Sequence, residues 1–265
     1  MEGTMGMVVI ESVIWLFAFM ILFFILAQIL KDNSIVDVAW GMGFMLVALT
    51  TFFRYSSPNP RKILLTTLII LWGFRLVIYI LSRKKGEDYR YKAFREKWRR
   101  YFFTKSFFYI FIFQGILLLI IAYPIMMVNG SPALPLGIFD ILGVVIFSVG
   151  FFFETAADYQ MARFKKDPAN KGKLMTQGLW QYSRHPNYFG EATTWWGIFC
   201  FALPFPYGWT TVIGPLLITF LLRFFSGVPM LEKKYQDRED FREYKKTTPV
   251  FFPLPRRSGP AKKTD

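Results

Sequence analysis

Seven runs of apolar residues leave this chain few folds to choose from. They cover about 7–30, 35–53, 63–82, 107–128, 136–158, 191–206 and 209–230. A helix rises 1.5 Å per residue, so roughly 20 such residues cross the hydrocarbon of a bilayer. In that medium each backbone N–H and C=O must pair within its own segment, which favours a bundle of helices. The sequence therefore predicts an all-α integral membrane protein with about seven transmembrane helices. The run at 191–206 is the shortest, and it ends at Pro204 and Pro206. Glu2 and Glu11 precede or enter the first run and no basic residue does, so it reads as a retained helix rather than a secretory signal. With 31 Phe and 54% hydrophobic residues, the composition argues against a soluble domain.

A net charge of +14 could point to nucleic acid, but its placement points to topology. Of the 32 Lys and Arg, 10 fall in 83–106, 6 in 159–190 and 10 in 231–265. The connections 129–135 and 203–208 carry none. With seven spans the three basic segments share one side, which predicts an outside N-terminus and a cytosolic C-terminus. Arg54, Arg61 and Lys62 run against that pattern. The basic faces also suit a bilayer with anionic lipid, and no nucleic-acid partner is expected.

The chain reads as one membrane domain over 1–255. Three N-terminal spans occupy 1–82. A basic, aromatic-laced segment at 83–106 predicts an amphipathic helix on the membrane surface. Four spans with long polar loops follow over 107–255, and 256–265 reads as a disordered tail.

Polar residues inside apolar helices are costly and mark cavities or partners. Glu154 and Asp158 stand four apart and share one helix face. Asp37 opens the second span, Arg75 lies in the third and Arg223 in the seventh. The densest polar stretch runs from Gln177 to Glu191 and holds the single histidine, His185, beside Arg184, Asn187, Tyr182 and Tyr188. With Arg163, Lys165, Lys166, Lys171 and Lys173 upstream, this loop offers the cations that phosphate groups favour. Pro186 keeps His185 out of the helical region and marks a helix entry. One histidine and one cysteine, Cys200, leave no imidazole or thiolate metal site and no disulfide framework. Gly41 and Gly43 are followed by Leu46 within a span, so there is no dinucleotide fingerprint, and no phosphate-binding P-loop or zinc-protease motif occurs.

The stretch Lys173–Trp180, followed by Tyr182 to Glu191, resembles the C-terminal region of the steroid 5-alpha-reductase superfamily. The chain as a whole resembles its DUF1295 branch over roughly 30–255. Val36-Asp37 with Trp40-Gly41, Trp72-Gly73 with Arg75, Gly86 to Tyr91 and Gly227 to Tyr235 carry that likeness. The resemblance implies a steroid-reductase-like bundle that binds NADPH from the cytosolic side and delivers hydride to a polarised carbon–carbon double bond of a steroid or other lipid. Carried over by position, Asp158, Arg163, Lys165, Lys173, Leu174, Tyr182, Arg184, His185, Asn187 and Tyr188 would line the cofactor, with Glu232 and Tyr235 closing over it. Trp40, Trp72 and Arg75 would face the substrate. Trp72 stands where steroid reductases carry a ketone-polarising Tyr, and indole cannot act as an acid, so a 3-ketosteroid is not the expected substrate.

A reductase also needs a protonated acid for the developing enolate oxygen. A carboxyl in an apolar cavity stays protonated at neutral pH, which makes Glu191, Asp37 and Glu154 the candidates. The runner-up is a membrane methyltransferase of the isoprenylcysteine or phospholipid type, whose similar Arg-His-Pro signature would serve S-adenosylmethionine. A third reading is a non-catalytic lipid-binding protein. The terminal Lys262-Lys263-Thr264-Asp265 fits an endoplasmic-reticulum retrieval signal, and a bacterial inner membrane fits equally.

Overall fold

A computed structural model describes residues 2–55 and 59–255, and among them every regular element is helical. The tail at 256–265, with its dilysine, lies outside the described residues. Packing divides the chain into two compact units. The first comprises Met1–Ile141 and Ile198–Gly214, the second Leu142–Gly197 and Pro215–Asp265.

In the first unit, α1 (Glu2–Leu30), α2 (Ile35–Tyr55) and α3 (Pro60–Arg83) follow one another. Pro60 starts α3, and the Asn59 side chain caps it by accepting from the Lys62 N–H at 3.3 Å. Asp88 caps α4 (Tyr89–Trp98) in the same way, at 2.9 Å from the Arg90 N–H. At Arg99 the backbone takes a φ of 45°, which ends α4 in a 3-10 turn over Arg99–Tyr101. The chain then re-enters helix through α5 (Phe102–Ser106), a π-helical stretch at Phe107–Ile112 and α6 (Phe113–Ile121). The basic segment thus forms α4, and the fourth span follows it after the turn at Arg99–Tyr101. That span stops at Ala122, and α7 (Tyr123–Gly130) starts afresh with Pro124 in its first turn.

α2 is the centre of this unit and touches α1, α3 and α7. It meets α3 at Gly41 and Gly73, where a Cβ on Gly41 would sit 2.8 Å from the Gly73 carbonyl oxygen. Small residues at such crossings let helix backbones approach closely where lipid gives no hydrophobic drive. Asn129 of α7 donates to the Ala48 carbonyl at 3.1 Å and to the Thr51 hydroxyl at 3.0 Å, which ties α7 to α2.

Arg61 is 2% exposed and donates to both oxygens of Asp140, at 2.6 and 2.7 Å. The same guanidinium reaches the Pro135 carbonyl at 2.8 Å, and Asp140 also accepts from the Gly137 N–H at 2.7 Å. The charge that seemed to break the topological pattern is therefore a buried structural pair and not a loop cation. Arg54 is matched as well, with Glu11 3.3 Å away.

The second unit holds most of α8 (Ile138–Lys166) and α9 (Pro186–Cys200), the end of α10 (Ile213–Phe220), a π-helical stretch at Leu221–Phe225, α11 (Val228–Glu232) and α12 (Glu239–Thr247). α8 and α9 run antiparallel in close contact. Methyl groups built on Gly150, Gly190 or Gly197 would strike the backbone of Thr194, Glu154 or Phe147 respectively.

Six helical stretches among the described residues are long and apolar enough to cross a membrane: Met5–Leu30, Ile35–Tyr55, Pro60–Arg83, Tyr89–Ile121, Ile138–Lys166 and Gly208–Tyr235. The run at 191–206, read as one of seven spans, forms the 15-residue α9 and then turns over 201–207. At 1.5 Å per residue such a helix covers roughly 22 Å. Pro204 and Pro206 are why it stops.

Candidate functional site

The candidate site lies in the second unit, where four pieces of chain converge: the end of α8, the loop 167–185, α11 and α12. Local chemistry fixes each piece. Gly178 adopts a φ of +59° over the Gln160 side chain, where a Cβ would lie 2.6 Å from Gln160 Oε1. That oxygen accepts from the Leu179 N–H at 2.9 Å, and the Trp180 indole donates to the Ala157 carbonyl at 3.2 Å. Both bonds pin the loop to α8.

The C-terminal segment then straps across the polar stretch. The Arg184 N–H donates to the Pro249 carbonyl at 2.8 Å, and the Ser183 hydroxyl to the Phe251 carbonyl at 2.8 Å. The Leu254 N–H returns a bond to the Tyr182 carbonyl at 3.0 Å, and the Tyr244 hydroxyl donates to the Trp180 carbonyl. Arg184 further donates to Glu232 at 2.8 Å and to the Thr248 carbonyl at 2.8 Å.

His185 Nε2 lies 3.1 Å from the same Glu232 oxygen. A carboxylate paired with Arg184 can only accept, so Nε2 carries the hydrogen and Nδ1 the lone pair. Nδ1 is buried and has no hydrogen-bond partner among the described residues. Burial holds the imidazole below its ordinary 6.5. Arg184 and Arg223 push the same way, against the hydrogen bond and charge of Glu232. The ring is therefore neutral at pH 7, and Tyr188 stacks on it at 5.6 Å and 7°.

These elements enclose a cavity of about 570 Å³. Six cations line it, Lys165, Lys166, Lys171, Lys173, Arg184 and Arg238, against two acids, Asp167 and Glu232. Trp180, Tyr235, Phe241 and Tyr244 supply aromatic wall. Excess cation beside rings suits a ligand with several phosphates and a planar base. A dinucleotide fits this donor set, and the unpartnered Nδ1 of His185 adds a buried acceptor for a hydroxyl or amide.

Of the expected cofactor residues, Lys165, Lys173, Leu174, Arg184, His185, Glu232 and Tyr235 line this cavity. Tyr188 and Asn187 stand behind it: Tyr188 stacks on His185, and Asn187 donates to Asp158 at 3.2 Å. Arg163 and Tyr182 are exposed and do not line it. Trp180, Arg238, Phe241 and Tyr244 were not singled out in the sequence. The last three lie some sixty residues downstream of the histidine motif, and only the amphipathic spacing of Phe241 and Tyr244 on α12 hinted at an inward face.

The expected acids separate. Glu154, 2% exposed, and Glu191, half-buried, stand on α8 and α9 in the second unit. Asp37 lies in the first unit, where it accepts from Arg90 at 2.7 Å and from the Tyr91 hydroxyl at 2.7 Å. Asp37 is thus tied to the start of α4 and is not among the cavity-lining residues of the second unit. Trp72 is fully buried with its ring against Phe44. Trp40 donates to Gln114 at 2.5 Å, and Arg75 lies 6.0 Å from the Tyr79 ring. Among the described residues no group of three His, Cys, Asp or Glu could hold a metal ion.

Comparison with known proteins gives the family. The model for DUF1295, a protein family of unknown function, matches residues 23–248. The chain belongs to the DUF1295 family. An uncharacterised protein of Schizosaccharomyces pombe is 30% identical over 220 residues, 69% of this chain and 63% of the relative. The chain thus spans less than two thirds of that relative's length. A probable O-methyltransferase of Ustilaginoidea virens, ustE, is 48% identical over 46 residues, 17% of this chain and 16% of its own. No solved structure matches.

Proposed function

We propose that this DUF1295 protein is an NADPH-dependent membrane reductase acting on a carbon–carbon double bond of a steroid-like or other lipid. One observation carries the reading: Lys165, Lys166, Lys171 and Lys173 line a cavity of about 570 Å³ at the His185 loop, beside Arg184 paired with Glu232 and Arg238 paired with Asp240. Lys165, Lys171 and Lys173 would bind phosphate oxygens, where charge-assisted bonds are roughly twice as strong as neutral ones. Arg184, held by Glu232, bonds the strap at Thr248, so the pair would orient the ligand by closing the site. Tyr235 and Trp180 would flank a planar ring. NADPH, when bound, supplies the hydride. Glu191, half-buried on α9, is the acid we assign to protonate the reduced lipid. The basic loops would face the cytosol.

The probable O-methyltransferase among the partial matches favours a second reading, S-adenosylmethionine-dependent methyl transfer. Adenosylmethionine carries no phosphate, so the cation excess speaks against it. Labelled donors separate the two. Purified full-length protein is incubated with a lipid extract and either NADPH deuterated at C4 or adenosylmethionine with a trideuterated methyl group. The reductase reading expects a deuterium-labelled lipid from the first donor only. A trideuteromethyl lipid from the second would establish the methyltransferase, and label from neither donor would favour a non-catalytic lipid-binding role.

A further inference from the structure

The first unit carries a second concentration of positive charge, and the structure sorts its members by task. Of the ten cations in 83–106, three are matched to carboxylates. Lys84 lies 2.8 Å from Asp32, Arg90 2.7 Å from Asp37, and Arg95 2.9 Å from Glu87. The first ties the end of α3 to the α1–α2 turn, the second ties α4 to α2, and the third lies within the 87–95 segment. Beyond them, Lys92, Lys97, Arg99 and Arg100 are all exposed. Glu96 is the acid among them.

The helix break at Arg99–Tyr101 gathers several of these groups. The Arg100 guanidinium sits 4.7 Å and the Lys105 ammonium 5.8 Å from the Tyr101 ring, and Arg100 donates to the Tyr101 hydroxyl at 2.6 Å. Directly after the break, Phe103, Phe108 and Tyr109 are 54–65% exposed on a helix apolar enough to lie in a membrane. Exposed rings at a span's end mark the headgroup level of a bilayer. Unmatched cations at that level, with a ring holding two of them together, complement a headgroup of net negative charge.

We propose that the turn at Arg99–Tyr101, with Lys97 and Lys105, is a binding site for an anionic phospholipid headgroup. The site is independent of the cavity in the second unit. Lys105 and Arg100 stand over one ring so that a phosphate could accept from both, while the acyl chains lie along Phe103 and Phe108.

The test is lipid retention by the full chain. Protein is reconstituted in nanodiscs of equal phosphatidylglycerol and phosphatidylcholine, extracted in mild detergent, and its bound lipid counted by native mass spectrometry. The wild type should retain phosphatidylglycerol over phosphatidylcholine by roughly fivefold or more, as the loss of about one surface cation's attraction implies. The variant K97Q/R99Q/R100Q should lose that preference, and K171Q/K173Q in the second unit should keep it. Equal retention of both lipids by the wild type overturns the proposal. So does a preference that survives K97Q/R99Q/R100Q or vanishes in K171Q/K173Q. Should the triple variant fail to fold, R100Q alone must weaken the preference, and an unchanged preference in R100Q overturns the site.

Discussion

Arg184 and His185 meet on one atom: Arg184 Nε lies 2.8 Å and His185 Nε2 3.1 Å from Oε1 of Glu232. This junction ties the histidine loop to α11 while Arg184 reaches on to the strap at Thr248. The single histidine is held as a structural donor here, and its free nitrogen is what remains for a ligand.

Glu232→Gln should therefore loosen the site twice over. It leaves a buried guanidinium without its counter-charge, which costs about 3–5 kcal/mol in buried pairs and less where, as here, the groups are 10–14% exposed. We expect a thermal midpoint lower by several degrees and at least tenfold weaker NADPH binding. Calorimetry with and without NADPH checks both, and an unaltered melt would contradict the junction's role.

His185 sets a pH dependence. Its folded value lies below the ordinary 6.5, because burial disfavours the imidazolium. The unfolded chain thus takes up a proton near 6.5 that the folded protein refuses. The contribution is complete above about 6.5 and is lost as pH falls toward the folded value. Melts from pH 8 to pH 5 should show this slope, and His185→Gln should flatten it. Glu232, Arg184 and Arg223 are the charged groups acting on the ring, so the comparison needs their side chains intact.

Arg61 and Asp140 make the sharpest stability prediction in the first unit. Arg61→Met or Asp140→Asn alone should cost about 3–5 kcal/mol by leaving one buried polar group unmatched. Arg61→Met combined with Asp140→Leu should recover much of that loss, measured by thermal unfolding in detergent. Equal loss in the single and double variants would mean that the pair is not the relevant contact.

Gly190 predicts a packing effect. A side chain there strikes the Glu154 backbone and must push α9 from α8. Gly190→Val should therefore lower the yield of folded protein markedly, while Gly86→Ala, with open space around it, should matter only through its φ of +86°. Size-exclusion profiles of the two variants make the comparison.

Much of this architecture is legible in the sequence because the bilayer imposes one length and one backbone solution. The first three spans, α8 and the last span follow from apolar runs alone. The fourth is less legible, since the charged α4 at Tyr89–Trp98 leads into it through a turn at Arg99–Tyr101. α9 misleads by composition: its residues are apolar enough, but Pro204 and Pro206 cut it to 15 residues. At the candidate site, Lys165, Lys173, Arg184 and His185 cluster in sequence and also in space. Arg238 and Phe241 reach the cavity through the strap's return, a long-range contact with no local signature. Asp37 shows the converse limit, because an apolar neighbourhood in sequence gave no sign of Arg90, fifty-three residues away.

The most direct test of the account is a calorimetric titration of NADPH into the purified full-length protein, repeated with K171Q/K173Q. The wild type should bind NADPH saturably, and more weakly as salt rises. Binding by the double variant should be at least tenfold weaker, and its melting temperature should be unchanged because both lysines are exposed. Equal NADPH affinity in the two proteins, or no NADPH binding by a folded wild type, would contradict it.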